Sequence, residues 1–215
     1  IPFKRGDIVD RNGTKLATSE KIYNLILDVK ALGEAEDLNQ GAQEATINVL
    51  VSKFGVDEKE LRSTIQANPD SRYQILKKGL TYDQSKEFEE ITGDKKKYPN
   101  VTGIWLEENY KRTYPYNSLA STVVGFSGSG NAGAVGLESA YNSILNGTDG
   151  REYGYLDDNS SLEQTVKEAV NGNTVVSTID ATLQGIVEES ILEFNQEHEG
   201  EARADEPGSA NTGVI

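Results

Sequence analysis

The residues of this chain that could do chemistry are few, and their spacing is poor for it. There is one histidine, His198 in "NQEHEG", and no cysteine. A Ser-His-Asp arrangement would have to use that histidine, and its place at the acidic end of a helical stretch predicts an exposed last turn instead. The lack of cysteine excludes disulfides, thiolate nucleophiles and thiolate metal sites, and zinc would have to be held almost wholly by carboxylates. Glycoside hydrolysis needs two carboxyl groups facing one another across a substrate. Glu89/Glu90 and Glu188/Glu189 read as solvated helix faces. Glu107/Glu108 and Asp157/Asp158 are the pairs that a carboxylate-based hydrolase would use. "GSGNAGAVG" (128–136) looks like a phosphate-binding loop, but it lacks the lysine of G-x-x-x-x-G-K-[ST] and stands between helical pieces rather than after a strand. "LDDNSS" lacks the glycine and the closing glutamate of a calcium loop. Asn12, Asn100, Asn146 and Asn159 each open an N-x-[ST] triplet, as expected by chance in a chain rich in Asn, Ser and Thr. No metal and no cofactor is expected.

The elements that must position these residues follow from composition and periodicity. With 215 residues, 26% charged and 36% hydrophobic, the chain reads as one large or two small folded domains. The net charge is −14, and residues 157–215 hold 13 acids against two bases. Such a surface repels a phosphate backbone, which excludes nucleic acid as a partner. No run of about 18 apolar residues exists to span a membrane. The chain opens on Ile1 and closes on the apolar "TGVI", so both ends read as cut from a longer polypeptide.

Asn12-Gly13 predicts a tight turn between short strands, and 21–29 alternates as a strand. Helices are expected over 41–54, stopped by Gly55, after the N-cap Asp57, and over 81–93. Strands are expected over 71–80, 101–114, 151–156 and 173–179, with small helical pieces within 118–145. The helix from Asp180 carries an apolar stripe of Leu183, Ile186, Val187, Ile191 and Phe194. The expected fold is α+β: an elongated antiparallel β-ribbon scaffold with an inserted small α/β lobe. The expected domains are 1–30 with 101–179 as the scaffold, 31–100 as the head lobe, and 180–215 as a linker helix opening a further domain.

Four stretches in series carry a resemblance. "RGDIVDRNGTKLA" (5–17) supplies Arg5, Gly6, Asp10, Arg11, Asn12 and Gly13. "RTYPYN" (112–117) supplies Arg112, Tyr114 and Pro115. "GAVGLESAYNSILNGTDG" (133–150) supplies Gly133, Gly136 and Glu138. "TVVSTIDATLQGIVEESI" (174–191) supplies Asp180 and Gln184. In this order and at these separations they resemble the N-terminal pedestal, or dimerisation domain, of class B penicillin-binding proteins, across nearly the whole chain. The family's final glycine in the second stretch is Asn117 here, a residue that tolerates positive φ.

The resemblance implies a parent D,D-transpeptidase, anchored by one upstream helix on the outer face of the bacterial membrane. Its partners would be its own C-terminal transpeptidase domain and other cell-wall synthesis proteins, among them a glycosyltransferase. The parent's chemistry uses S-x-x-K, S-x-N and K-[ST]-G. No serine here has lysine three residues on, and K-T-G and K-S-G are absent. S-x-N occurs only as Ser129-Gly130-Asn131 and Ser209-Ala210-Asn211. This chain is therefore expected to be non-catalytic, with Arg5, Arg11 or Arg112 pairing with Asp10 or Glu138. The alternatives are a free-standing secreted carboxylate-based hydrolase and a secreted binding protein.

Overall fold

The computed structural model describes residues 1–156 and 162–198. In chain order the elements are β1 (Ile8–Val9), β2 (Lys15–Leu27), α1 (Val29–Leu38), α2 (Ala42–Phe54), α3 (Glu58–Ala67), β3 (Gln74–Leu80), α4 (Tyr82–Gly93), β4 (Ile104–Thr113), α5 (Ser121–Val124), α6 (Gly136–Ala140), α7 (Asn142–Leu145), β5 (Arg151–Leu156), β6 (Leu162–Lys167), β7 (Val175–Val176) and α8 (Ala181–Glu197). The fold is α+β, and the chain divides into two compact units: residues 1–2 with 20–111, and residues 3–19 with 112–215.

In the first unit, β3 runs antiparallel to the second half of β2, with Ile26 opposite Ile75, and β4 also pairs with β2. Leu25 and Leu27 of β2 point to one face and join Leu32, Ile47, Leu50, Phe54, Leu61 and Phe88 of the four helices in a continuous core. Phe54 and Phe88 meet edge to face at 5.9 Å. Each buried leucine contributes about 2 kcal/mol, so this core is the main support of the unit. The helix ends follow local chemistry. Asp57 accepts from Glu60 N, and Thr81 and Gln84 form a reciprocal capping box. Gly55 closes α2 at φ +62°.

Helix α1 was not expected. The strand expected over 21–29 stops at Leu27, because the Asp28 carboxylate accepts from Ala31 N and starts a helix at Val29. The strand expected over 101–114 begins only at Ile104.

In the second unit, β1 lies between the first half of β2, antiparallel, and β7, parallel. Ile8, Leu16, Ala17, Val124, Leu145 and Ala181 form its core. β5 and β6 make a regular antiparallel hairpin, of which β6 was not expected. The strand expected over 173–179 is reduced to Val175–Val176, and its pairing with β1 is parallel. An antiparallel ribbon thus describes β1–β2 and β5–β6 but not β7.

α8 begins at Asp180, which accepts from Thr182 N and Leu183 N. Its expected stripe is largely open: Leu183, Ile186 and Phe194 are each more than half exposed, and only Ala181 is buried. Among the described residues, no helix is long and apolar enough to cross a membrane.

Candidate functional site

The second unit buries three charged side chains together. Glu138 sits in the first turn of α6 with its side chain wholly out of solvent, as is that of Arg5. Glu138 Oε2 accepts from Arg5 Nε at 2.8 Å and pairs with Arg5 Nη2 at 2.7 Å. Its Oε1 accepts from Arg112 Nε at 2.7 Å and from the Tyr114 hydroxyl at 3.2 Å. Three segments far apart in the chain therefore converge on one carboxylate. Arginine suits the task because its planar fork donates in several directions while keeping its charge.

Two guanidinium groups face one carboxylate, which leaves a buried excess of one positive charge. Oxygen dipoles offset it. Arg5 Nη2 donates to the Glu138 carbonyl, and Arg5 Nη1 to the Asn131 carbonyl and the side-chain oxygens of Asn142 and Asn146. Arg112 Nη1 donates to the Gly6 carbonyl at 2.7 Å and to Ser19 Oγ at 3.2 Å. Arg112 Nη2 is the one buried side-chain polar atom without a partner among the described residues.

The glycines permit this convergence. A methyl group on Gly6 would strike the Asn173 carbonyl, and one on Gly133 would strike the Glu138 carbonyl. Gly136 holds φ +62° beside the Val123 carbonyl. Pro115 lies in a turn closed by Asn117 N to the Tyr114 carbonyl at 2.9 Å. Asn117 takes φ +52°, the left-handed conformation that asparagine tolerates.

Asp10 lies in a separate arrangement, and no arginine among the described residues pairs with it. Its Oδ1 accepts from the backbone of Asn12 and Thr14, both at 2.8 Å, and its Oδ2 from Ala181 N at 3.1 Å. Burial opposes its charge, but the donations from Ala181, Thr14 and Asn12 outweigh burial and hold the carboxyl below its usual range. Gly13, at φ +88°, completes the turn. Arg11 N donates to the Ile179 carbonyl, and Asn12 Nδ2 reaches Asp180 at 3.5 Å. The turn 10–14 is thereby fastened to the first residues of α8. Arg11 itself is exposed and pairs with no carboxylate among the described residues. Gln184 donates to Glu188, which also accepts from Ala120 N at 2.9 Å, so Glu188 is a tether rather than the solvated acid expected.

Both Glu138 oxygens are taken up by fixed donors, the Tyr114 hydroxyl among them. Glu107 and Glu108, as neighbours on β4, point to opposite faces of the sheet. Glu107 accepts from the Tyr73 hydroxyl and Glu108 pairs with Lys21, so the two cannot converge on a substrate. Asp157/Asp158 and Asn159 lie outside the described residues. The 128–136 loop is closed by Gly128 N donating to the Ala132 carbonyl and tied to α7 by Gly133 N donating to Asn142 Oδ1.

Asn142, Asn146 and Ser19 were missed from the sequence. Asn142 and Asn146 stand four apart across α7 within the third stretch, and that spacing was the available signal for a shared partner.

The chain belongs to the penicillin-binding protein dimerisation domain family, whose family model matches residues 1–177. It is similar to the probable peptidoglycan D,D-transpeptidase PbpC of Pseudomonas aeruginosa, with 27% identity over 94% of this chain and 34% of that one. It is also similar to the stage V sporulation protein D of Bacillus subtilis, with 26% identity over 89% of this chain and 28% of the relative. Among solved structures, penicillin-binding protein 2X of Streptococcus thermophilus superposes with a TM-score of 0.63 and 25% identity, covering 92% of this chain and 31% of that one. The penicillin-binding protein PBP2 of Helicobacter pylori, solved in complex with MreC, shares the fold at a TM-score of 0.59 and 21% identity, over 90% of this chain and 37% of that one. The chain spans about a third of the length of the curated relatives it matches.

Proposed function

We propose that this chain is the non-catalytic pedestal of a serine-type D,D-transpeptidase on the outer face of a bacterial membrane. The parent is anchored by an upstream helix, and the pedestal holds the catalytic domain at the height of the peptidoglycan. The observation that carries the reading is the family match over residues 1–177 together with the start of α8. That helix is fastened at its first turn by Asp10 and presents Leu183, Ile186 and Phe194 outward. An apolar stripe on a tethered helix is what a following domain would pack against. The Arg5–Glu138–Arg112 cluster then serves as the clamp that keeps the hairpin, the β4 strand end and α6 in one register. Solvent-facing parts of the pedestal, the 31–100 region first among them, receive other cell-wall synthesis proteins. The complex of the H. pylori relative with MreC supports a partner of that kind, and a glycosyltransferase is a second candidate.

The test is labelling with fluorescent penicillin, read by gel and intact mass, of the full natural polypeptide beside this 215-residue chain. One covalent penicillin on the full polypeptide and none on the chain is the expected result. Labelling of neither removes the transpeptidase reading of the parent, and labelling of the chain alone removes the non-catalytic reading of the pedestal.

A further inference from the structure

We propose that the outer face of the β2–β3–β4 sheet in the first unit docks a partner protein through a lysine or arginine side chain, seated on Trp105 and Tyr73 against Glu107. It rests on the interaction role above only for the class of partner. All the residues concerned lie in the first unit, apart from the buried cluster and from α8.

The sheet covers its helices with one face only. Leu25, Leu27, Ile104 and Leu106 turn toward the helical core, so Asn24, Ile26, Trp105 and Glu107 turn away from it. The outward face is nevertheless not polar. Ile26 is fully buried there opposite Ile75, which is 41% exposed, and the face also carries Tyr73 at 47% and Trp105 at 37% exposure. The two rings sit 6.3 Å apart and tilted by 58°, an open angle rather than a closed stack. Trp and Tyr presented in this way are the residue types that anchor protein interfaces.

The charge beside the rings decides the occupant. Glu107 Oε2 accepts from the Tyr73 hydroxyl at 2.7 Å and from Asn24 Nδ2 at 3.4 Å, which fixes the carboxylate next to the aromatic pair. Some acids of this unit pair with a cation, as Glu108 does with Lys21, Glu44 with Arg62 and Glu87 with Lys53, and others do not; Glu107 differs in being held beside two exposed aromatic rings. No lysine or arginine pairs with Glu107 among the described residues. A purely apolar partner laid over this face would desolvate an uncompensated carboxylate, and an acidic one would add repulsion. A guanidinium or ammonium group answers both parts of the site, since ring faces attract cations and the carboxylate neutralises them. The occupant is therefore a protein segment with a basic side chain flanked by aliphatic ones.

Trp105 is the only tryptophan of the chain, so its emission reports this face alone. The experiment titrates the chain with the capped peptide Leu-Arg-Leu-Arg-Leu, with Leu-Glu-Leu-Glu-Leu, and with the tetramer of N-acetylglucosamine. A saturable emission change with the arginine peptide only is expected, weakened about tenfold by Glu107→Gln and by Tyr73→Ala. Circular dichroism of both variants must match the parent chain. No saturable change, an equal response to the acidic peptide, or binding unmoved by Glu107→Gln overturns the proposal. A response to the sugar without one to the peptide also overturns it and makes the face a glycan platform. None of these results depends on penicillin labelling, which reads the pedestal role separately.

Discussion

Glu138→Gln is the sharpest perturbation of the buried cluster, because it keeps the shape and removes the charge. In the folded chain the carboxylate receives Arg5 Nε and Nη2 on one oxygen, and Arg112 Nε and Tyr114 Oη on the other. An amide retains one acceptor, and its NH2 group must then face the donors of one guanidinium. Two buried arginines are left without a counter-charge. Removing one partner of a buried ion pair costs about 3–5 kcal/mol. That is a large share of the ~5–15 kcal/mol by which domains are stable, and about a hundredfold or more in the folding constant. The assay is urea unfolding followed by far-ultraviolet circular dichroism, with midpoint and slope fitted separately. Glu108→Gln is the control. It breaks the exposed pair with Lys21, which joins at 2.9 Å with both side chains some 40–50% in water, and should cost about 0–1 kcal/mol. If Glu138→Gln falls within about 1 kcal/mol of the parent chain at an unchanged slope, the cluster is not a clamp and the reasoning fails.

Three further outcomes are expected. Gly6→Ala drives a methyl group into the Asn173 carbonyl and should cost about 2 kcal/mol or more by the same unfolding assay. Asn117→Ala places an ordinary side chain at φ +52° and should cost about 1 kcal/mol, a fall of roughly 2–4 °C in Tm by calorimetry, whereas Asn117→Gly should not lower Tm. Asp7 and Asp10 supply the pH dependence. Burial works against the Asp7 charge, but Thr18, Lys15 and Lys4 outweigh it, so both carboxyls titrate below their usual range in the folded chain. The unfolded chain then takes up protons first. The stability from these two groups is complete above the ordinary carboxylate value of about 4 and is lost as pH falls through the lower folded-state values. Asp10→Asn should flatten the acid side of a midpoint-against-pH profile, and an unchanged profile would count against the Asp10 turn.

Where a single residue settles an element, the sequence was enough to read it. Asp57, Thr81 and Asp180 start helices and Gly55 ends one by local hydrogen bonding or positive φ, and each stands where it was expected. Helix α1 was hidden because Ile26, Leu27 and Val29 continue a strand-like run, with Asp28, its cap, in their midst and Gly33 weakening the helical pattern of residues 30–38. The parallel pairing of β7 depends on a partner more than 160 residues away, which no local pattern encodes. For the buried cluster, Arg5, Arg112 and Glu138 were legible only through the three stretches that carry the family resemblance. The amide oxygens of Asn142 and Asn146 carry no charge to mark them, and Asp10 proved to need backbone donors rather than an arginine. The α8 stripe was visible as a periodicity, while its exposure is a tertiary property.

The first residues of the chain are held almost entirely by the last. Phe3 N is bonded to Asp149, Arg5 to Glu138, Gly6 N to the Leu145 carbonyl, and Asp10 to Ala181 N, a span of 171 positions. A ribosome or a secretion channel delivers residue 5 long before residue 138 exists. During that interval Arg5 has no partner, Ile8 and the first half of β2 have only each other, and the β1 edge that later takes β7 is open to any other extended chain. Closing loops of this length is slow, so the N-terminal twenty residues fold last although they are made first. The second unit therefore cannot assemble co-translationally from its beginning, and aggregation during synthesis or export should start at residues 8–19.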